Sequence, residues 1–329
     1  MARENIFKTN SDVILGFGVE LEMGIEPNVD GLEMLTGFFE FDDSESGHQL
    51  GDGDDISFPG LRDGNRSDIH GLLAGYLAQC GLPAVVGNPD DRKYGMWQVD
   101  DDASVVEARK TCSVLSRFKI VAALTELPQI DRVEVVSPIL GLPTDMPDAC
   151  SWTHKLETLF ACIERYFHII DTSGASTHIH VGPVGRPWSR AEIVSIGEGI
   201  NLISDIIPVL PRLADTERTA NWAKKNPQGA FNDSSTIRSV VQSLCPDRNV
   251  AWNLRPMFDE PDRPVKGTIE FRRPPQSRSA GEAKLCITIT LCLVVLFLEK
   301  NELVFCSALK QILTLLSHYA KGSGYKCVG

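Results

Sequence analysis

A chain of 329 residues, 43% hydrophobic and 23% charged, has an ordinary globular composition and is long enough for one large domain or two smaller ones. A formal charge of −12 without any basic run counts against nonspecific nucleic-acid binding and against an anionic membrane surface. Nine cysteines with no CxxC pair and no metal-ligand spacing point to free thiols in a reducing compartment. Cys162, Cys286, Cys292 and Cys306 fall in apolar helical surroundings.

The opening MARENIFKTNSD has no apolar stretch of the signal-peptide kind, so the expected location is cytoplasmic. Period-2 patterning and β-rich runs predict strands over about 13–23, 83–86, 95–99, 132–136, 177–182 and 267–273. Between them, Ile69, Leu72, Leu73, Tyr76 and Leu77 recur at helical spacing and stop at Cys80-Gly81. Leu156, Leu159, Phe160, Ile163, Phe167 and Ile170 form a second amphipathic stripe, which places His154 and His168 on one helix.

Ser189-Arg190-Ala191-Glu192 is a capping box ahead of Ile193, Ile196, Ile200 and Ile203, and Ser279 with Glu282 opens a fourth helix in the same way. Asn301 caps a fifth, giving C-terminal packing helices over about 279–321. The apolar run 285–298 is too short to span a bilayer and reads as a buried helix. Residues 40–68 hold nine acids among Gly, Ser and Asn, an acidic loop insertion that is either solvated surface or a lid. No Gly-rich phosphate loop follows any strand, and the GxGxE at 16–20 lacks a third glycine and a helix start. A single α+β domain over 1–329 therefore fits better than strict βαβ alternation.

Three predicted strands carry ionisable residues two positions apart: Glu20 and Glu22 in GFGVELEM, His178 and His180 in THIHVG, and Glu270 and Arg272 in GTIEFR. Residues i and i+2 of a strand share a face, so each segment sets two ligand-type side chains against an apolar opposite face. Taken alone, each is an ordinary polar-out strand, and the ExR pair a surface ion pair worth under about 1 kcal/mol. Their coincidence of type is what matters, since the paired positions hold Glu, His and Arg rather than the Thr, Ser or Lys usual on exposed strands. Asp102 in WQVDDDASV and Glu134, between Val133 and Val135, extend the set.

Neighbouring carboxylates on such a strand lie about 6.5–7 Å apart and repel by roughly 2.5 kcal/mol at an effective dielectric near 20. Five acids against Arg272 therefore imply two or more divalent cations in a shared site, or carboxyl pKa values pushed up. Oxygen-rich ligation favours Mg²⁺ or Mn²⁺. Metal-bridged nucleotide phosphates, with Arg272 on the transferring group, would let a substrate carboxylate attack the γ-phosphate and an amine capture the acyl phosphate. Arg212, Arg218 and Arg255 are candidates to grip phosphate or a substrate carboxylate, although exposed arginine is the ordinary reading. Trp97, Trp222 and Trp252 could wall a pocket, with core packing the commoner use.

The order FGVELEM, WQVDDDASV, EVVSPIL, THIHVG and GTIEFRRP resembles the amidoligase family, within the glutamine synthetase and glutamate–cysteine ligase superfamily, over about residues 16–277. The resemblance implies a curved, mainly antiparallel sheet forming a funnel-shaped active site, packed by long helices. It also implies an ATP-dependent carboxylate–amine ligase acting on a small-molecule or peptide carboxylate and an amine. By similarity Glu20, His178 and Glu270 bind the metal near the γ-phosphate, and Glu22 joins Glu134 and Asp102 at a second. His180, Arg272 and Arg255 attend the nucleotide, Arg218 and Arg212 the substrate, and Arg272, Glu270 and Glu20 carry catalysis.

The chain departs from the family pattern at Gly174-Ala175-Ser176-Thr177 and at Asp102-Ala103-Ser104, both of which spare the ligand types. Two other classes compete. One is an HxH-type zinc-dependent hydrolase, although only His318 follows His180; the other is a catalytically silent nucleotide-binding module.

Overall fold

The computed structural model describes residues 13–28, 30–31, 67–87, 95–100, 131–141, 151–172, 174–207, 213, 217–232, 234–258 and 265–299. The acidic segment at 40–66, Asp102, Arg212, Cys306 and the helix expected after Asn301 lie outside the described residues. The chain is α+β, with a mixed, mostly antiparallel open sheet and six α-helices among the described residues. It divides into two compact units that share the long first strand, β1 (Leu15–Pro27).

The second unit, made of residues 22–138 and 154–175, holds α1 (Ser67–Gln79), β2 (Ala84–Val86), β3 (Trp97–Asp100), β4 (Asp131–Val136), most of α2 (Trp152–Tyr166) and β6 (Phe167–Ile170). β2 pairs parallel with β3, and β3 pairs antiparallel with β4. Trp97, Val99, Val133 and Val135 point into a core closed by Leu73 and Leu77 of α1 and by Leu156, Leu159 and Ile163 of α2, all at most 1% exposed. α1 ends where the periodicity predicts: Gly81 takes the left-handed conformation at φ 82°, and Leu82 N–H returns to the Leu77 carbonyl at 2.8 Å.

α2 does not end where its stripe predicts. It stops at Tyr166, and Phe167–Ile170 instead pairs antiparallel with Gly24–Pro27 of β1, which moves His168 from a helix to a strand opposite Glu26. The stop has a physical cause. Asn28 donates its side-chain amide to the Arg165 carbonyl at 2.9 Å and its backbone N–H to the Tyr166 carbonyl at 2.9 Å, taking up the acceptors of the last turn. Two adjacent isoleucines then suit the pleat better than another helical turn.

The first unit, residues 1–21, 139–153 and 176–329, holds the start of β1 with β5 (Leu140–Gly141), β7 (Thr177–Pro183), α3 (Arg190–Ile203), α4 (Glu217–Trp222), α5 (Ile237–Leu244), β8 (Trp252–Asn253), a 3₁₀ turn (Arg255–Met257), β9 (Ile269–Phe271) and α6 (Ala280–Glu299). Its strands run β1-β7-β9-β8, and each of these pairings is antiparallel. On one face Val19, Ile179, Val181, Ile269 and Phe271 are fully buried. Against that face Trp252 stacks on Phe271 at 4.3 Å, and Phe297 of α6 meets Trp252 edge-on at 5.4 Å. Burying each such side chain contributes about 1.5–3 kcal/mol.

α3 carries the expected capping box, with Ser189 and Glu192 bonded reciprocally to each other's backbone. α6 is longer than the apolar run suggests. At 20 residues it is apolar enough to cross a membrane by length and composition, yet Ala283, Ile287, Leu291 and Val294 are all at most 1% exposed within the protein. Among the described residues Cys80, Cys162, Cys245, Cys286 and Cys292 are free thiols.

Candidate active site

The polar face of the first unit is set by strand register. Glu20 lies directly opposite His178, His180 opposite Glu270, and Glu270 opposite Asn253. The acids and imidazoles of three distant segments thus occupy one patch, where Glu20, His178, His180 and Glu270 are all buried, at 8%, 2%, 7% and 3% exposure.

Within the patch, His180 Nε2 is 3.0 Å from Glu20 Oε1 and 3.9 Å from Glu270 Oε1. His178 Nδ1 is 3.4 Å from a carboxylate oxygen of each acid. Arg272 Nη1 meets Glu270 Oε1 at 2.5 Å, Asn253 donates to Glu270 Oε2 at 2.7 Å, and Lys266 Nζ meets Glu20 Oε1 at 2.8 Å. Ser176 Oγ holds His178 Nε2 at 2.7 Å, and Thr268 Oγ1 holds His180 Nδ1 at 3.0 Å.

Charge in the patch follows from these contacts. Burial alone would raise the Glu270 pKa, but Arg272 first and the two imidazoles next reverse it, bringing it down to about 2. Glu20 is likewise held well below the carboxylate range: burial opposes ionisation, and Lys266 first, then the adjacent imidazoles of His180 and His178, overcome it. Crowded acids were expected to push carboxyl pKa values up unless metal ions intervened. They go down because the protein supplies its own cations, and Lys266 is one the motifs did not single out.

Donor atoms of Glu20, His180 and Glu270 lie within 4.8 Å of one another, the one such group of three among the described residues. An octahedral Mg²⁺ with bonds of about 2.1 Å sets adjacent donors about 3.0 Å apart and opposite donors about 4.2 Å apart, so the 3.0 Å His180–Glu20 separation matches an adjacent pair and the 3.9 Å His180–Glu270 separation needs a small side-chain adjustment. The Nε2 atom of His180 is buried and makes no aligned hydrogen bond, its approach to Glu20 being off the N–H direction. A proton on Nδ1 donated to Thr268 would leave the Nε2 lone pair facing the two carboxylates, the arrangement of a ligating histidine. These residues fit a divalent cation. The geometry puts His180, rather than His178, into the three-donor group, with His178 bridging the two acids from beside it.

The other expected residues are distributed as follows. Glu22 is buried and Glu134 half-buried; both belong to the second unit, outside the three-donor group, and Glu134 lies opposite Asp100 in the β3–β4 pairing. Arg218 is buried on α4 and donates through Nη2 to the carbonyls of Arg272, Arg273 and Pro274 at 3.0, 3.0 and 3.2 Å. Arg255 donates to the Pro246 carbonyl at 3.2 Å. Trp97 and Trp252 are core residues, each 1% exposed, whereas Trp222 is 36% exposed and its carbonyl accepts from Arg272 Nε at 3.3 Å. His154 is exposed on α2, and buried His70 bonds the Arg132 carbonyl at 3.0 Å.

Four site residues went unmarked by the motifs: Ser176, Asn253, Lys266 and Thr268. Two were within reach of the same parity rule. Thr268, Glu270 and Arg272 are spaced by two, as are Ser176, His178 and His180, whereas Lys266 lies beyond the turn at Gly267. Asn253 sits on a two-residue strand that periodicity cannot show. Asn226 creates that strand by accepting from the Trp252 N–H at 2.9 Å and donating to its carbonyl at 2.8 Å.

A search of curated proteins finds no match to the chain. The family model described as "Putative amidoligase enzyme" matches residues 14–295, a span that runs from the strand carrying Glu20 to the helix behind the sheet. With that match covering most of its length, the chain belongs to the amidoligase family.

Proposed function

We propose that this amidoligase is an ATP-dependent carboxylate–amine ligase, using Mg²⁺ or Mn²⁺ and an acyl-phosphate intermediate. The observation that carries the reading is the convergence of Glu20, His180 and Glu270, with Arg272 joined to the same Glu270 oxygen that faces His180. On this reading the polar sheet face floors a funnel of the glutamine synthetase and glutamate–cysteine ligase kind. Glu22, Glu134 and Asp102 then serve a second ion.

Glu20, His180 and Glu270 would hold the first divalent cation, which when bound supplies charge neutralisation to the β- and γ-phosphate oxygens. Arg272, anchored by the Trp222 carbonyl and by Glu270, presents a fixed guanidinium to the phosphoryl group as the substrate carboxylate attacks and ADP departs. The amine then displaces phosphate from the acyl phosphate. His178, oriented by Ser176, keeps both carboxylates in place from the flank. The family match does not favour the zinc hydrolase or the silent nucleotide-binding module.

The test is ADP release by the purified protein across panels of acids and amines. The reading requires ADP formation that depends on both substrates and falls at least about 100-fold in Arg272→Ala, the scale of losing a transition-state charge partner. Full turnover in Glu270→Ala or Arg272→Ala would overturn it.

A further inference from the structure

Lys266 has no part in that scheme, yet its ammonium lies 2.8 Å from Glu20 Oε1, the oxygen that is also 3.0 Å from His180 Nε2. The position is built. Backbone N–H groups of Lys266 and Gly267 both donate to the Pro256 carbonyl at 3.0 Å, and Gly267 turns the chain at φ 68°, a conformation that favours glycine. The Lys266 side chain is 23% exposed and the Glu20 carboxylate 10%, so the contact sits at the edge of the buried patch, open to exchange. The same short segment then delivers Thr268 to His180 and Glu270 to Arg272.

An ammonium 2.8 Å from Glu20 Oε1 and a divalent cation about 2.1 Å from the same oxygen would repel inside a buried site, and Lys266, unlike Arg272, which the Trp222 carbonyl also holds, is 23% exposed and able to swing away. We infer that Lys266 is an internal counter-ion that competes with the divalent cation for Glu20 Oε1, and that cation binding hands its ammonium over to an anionic oxygen of the incoming phosphate. The inference deepens the ligase reading and rests on it for the identity of the anion. Its physical content is a coupling. The cation binds weakly while Lys266 holds Glu20, and binds well once an anion is present to receive the lysine. The reciprocal effect follows by linkage, with phosphate binding better when the cation is present.

The experiment uses the full chain and Mn²⁺ alone, followed by electron paramagnetic resonance or calorimetry without nucleotide. Lys266→Met should bind Mn²⁺ about tenfold more tightly than the unaltered protein, the effect of removing a charged competitor from one ligand. Lys266→Arg keeps a cation there and should stay within about twofold of the unaltered protein. With Mn²⁺ present, Lys266→Met should bind inorganic triphosphate several-fold more weakly. Equal or weaker Mn²⁺ binding by Lys266→Met overturns the proposal, as does an absence of Mn²⁺ binding in all three proteins. Tighter Mn²⁺ binding in a protein that never forms ADP would sustain the competition and sink the ligase reading alone.

Discussion

Arg218 and Arg272 are joined by a hydrogen bond that runs from the guanidinium of one to the backbone carbonyl of the other, 3.0 Å long and buried. The exchange is reciprocal. Arg272 Nε returns to the Trp222 carbonyl at the end of the helix bearing Arg218, and Arg273 Nη1 to the Ala223 carbonyl at 2.8 Å. Cations at a helix C-terminus also complement its dipole. The arginine for which a role toward substrate was expected therefore fixes the backbone from which Arg272 projects.

Arg218→Ala should then destabilise the fold by about 2–4 kcal/mol, because it strips a charged donor from three buried carbonyls. Arg218→Lys, with one ammonium for a three-way contact, should recover only part of this. Denaturant midpoints of the three proteins check the order. A substrate-gripping role alone would raise KM and leave the midpoints together.

The sheet and the site differ in how far the sequence discloses them. β1, β7 and β9 are legible because each alternates apolar and ionisable residues over several positions, and parity alone puts Glu20, His178 and Glu270 on polar faces. The registers that set Glu20 against His178, and His180 against Glu270, are pairings between residues 158 and 90 positions apart in sequence, and no local pattern encodes them. The end of α2 is hidden for the same reason, since the residue that takes up its last carbonyls is Asn28, 137 positions before Arg165. Lys266 is not legible in this way: it precedes the predicted strand and the turn at Gly267, a lysine there normally reads as solvated, and only the fold shows it turned toward Glu20.

Removing either acid of the three-donor group separates metal binding from stability. Glu20→Gln should abolish measurable Mn²⁺ binding at neutral pH while the amide still accepts from Lys266. Glu270→Ala should also cost about 3–5 kcal/mol of stability, because it leaves Arg272 buried without its carboxylate. Mn²⁺ titration and thermal unfolding of the two variants, run side by side, resolve the two effects.

Stability should fall at low pH through a contact remote from the site. Hydrogen bonds from Arg186 are the main cause that lowers Glu192 to about 2, burial opposes them, and the Ser189 cap adds to them. A carboxyl whose folded pKa is depressed stabilises the fold above its unfolded pKa, near 4.5, and loses that contribution as pH falls toward 2. Glu192→Gln keeps a side chain able to accept from the Ser189 N–H but has no charge for Arg186. The gap in unfolding free energy between the two proteins should be constant from pH 6 to 8 and close between about pH 4.5 and 2. A gap unchanged at pH 2.5 would show that the ion pair contributes nothing.

Helix α3 approaches α6 over glycine. A methyl group at Gly199 would stand 2.1 Å from Phe297 Cδ1 and 2.4 Å from its Cγ, and one at Gly197 would stand 2.9 Å from a Phe231 ring carbon. The Ser195 hydroxyl, one turn away, bonds the Phe297 carbonyl at 2.8 Å, so this turn of α6 cannot draw back from α3 without breaking a buried hydrogen bond. Helix propensity alone would reward Gly199→Ala by up to about 1 kcal/mol. Overpacking wins, because the displaced ring is the one that meets Trp252 edge-on behind the sheet carrying Glu270 and Asn253. The expected result is a net loss of about 1–3 kcal/mol, together with weaker Mn²⁺ binding as β8 and β9 shift. A Gly199→Ala protein more stable than the parent would mean that α6 can slide along α3 freely, and that the polar face is not held from behind by this contact.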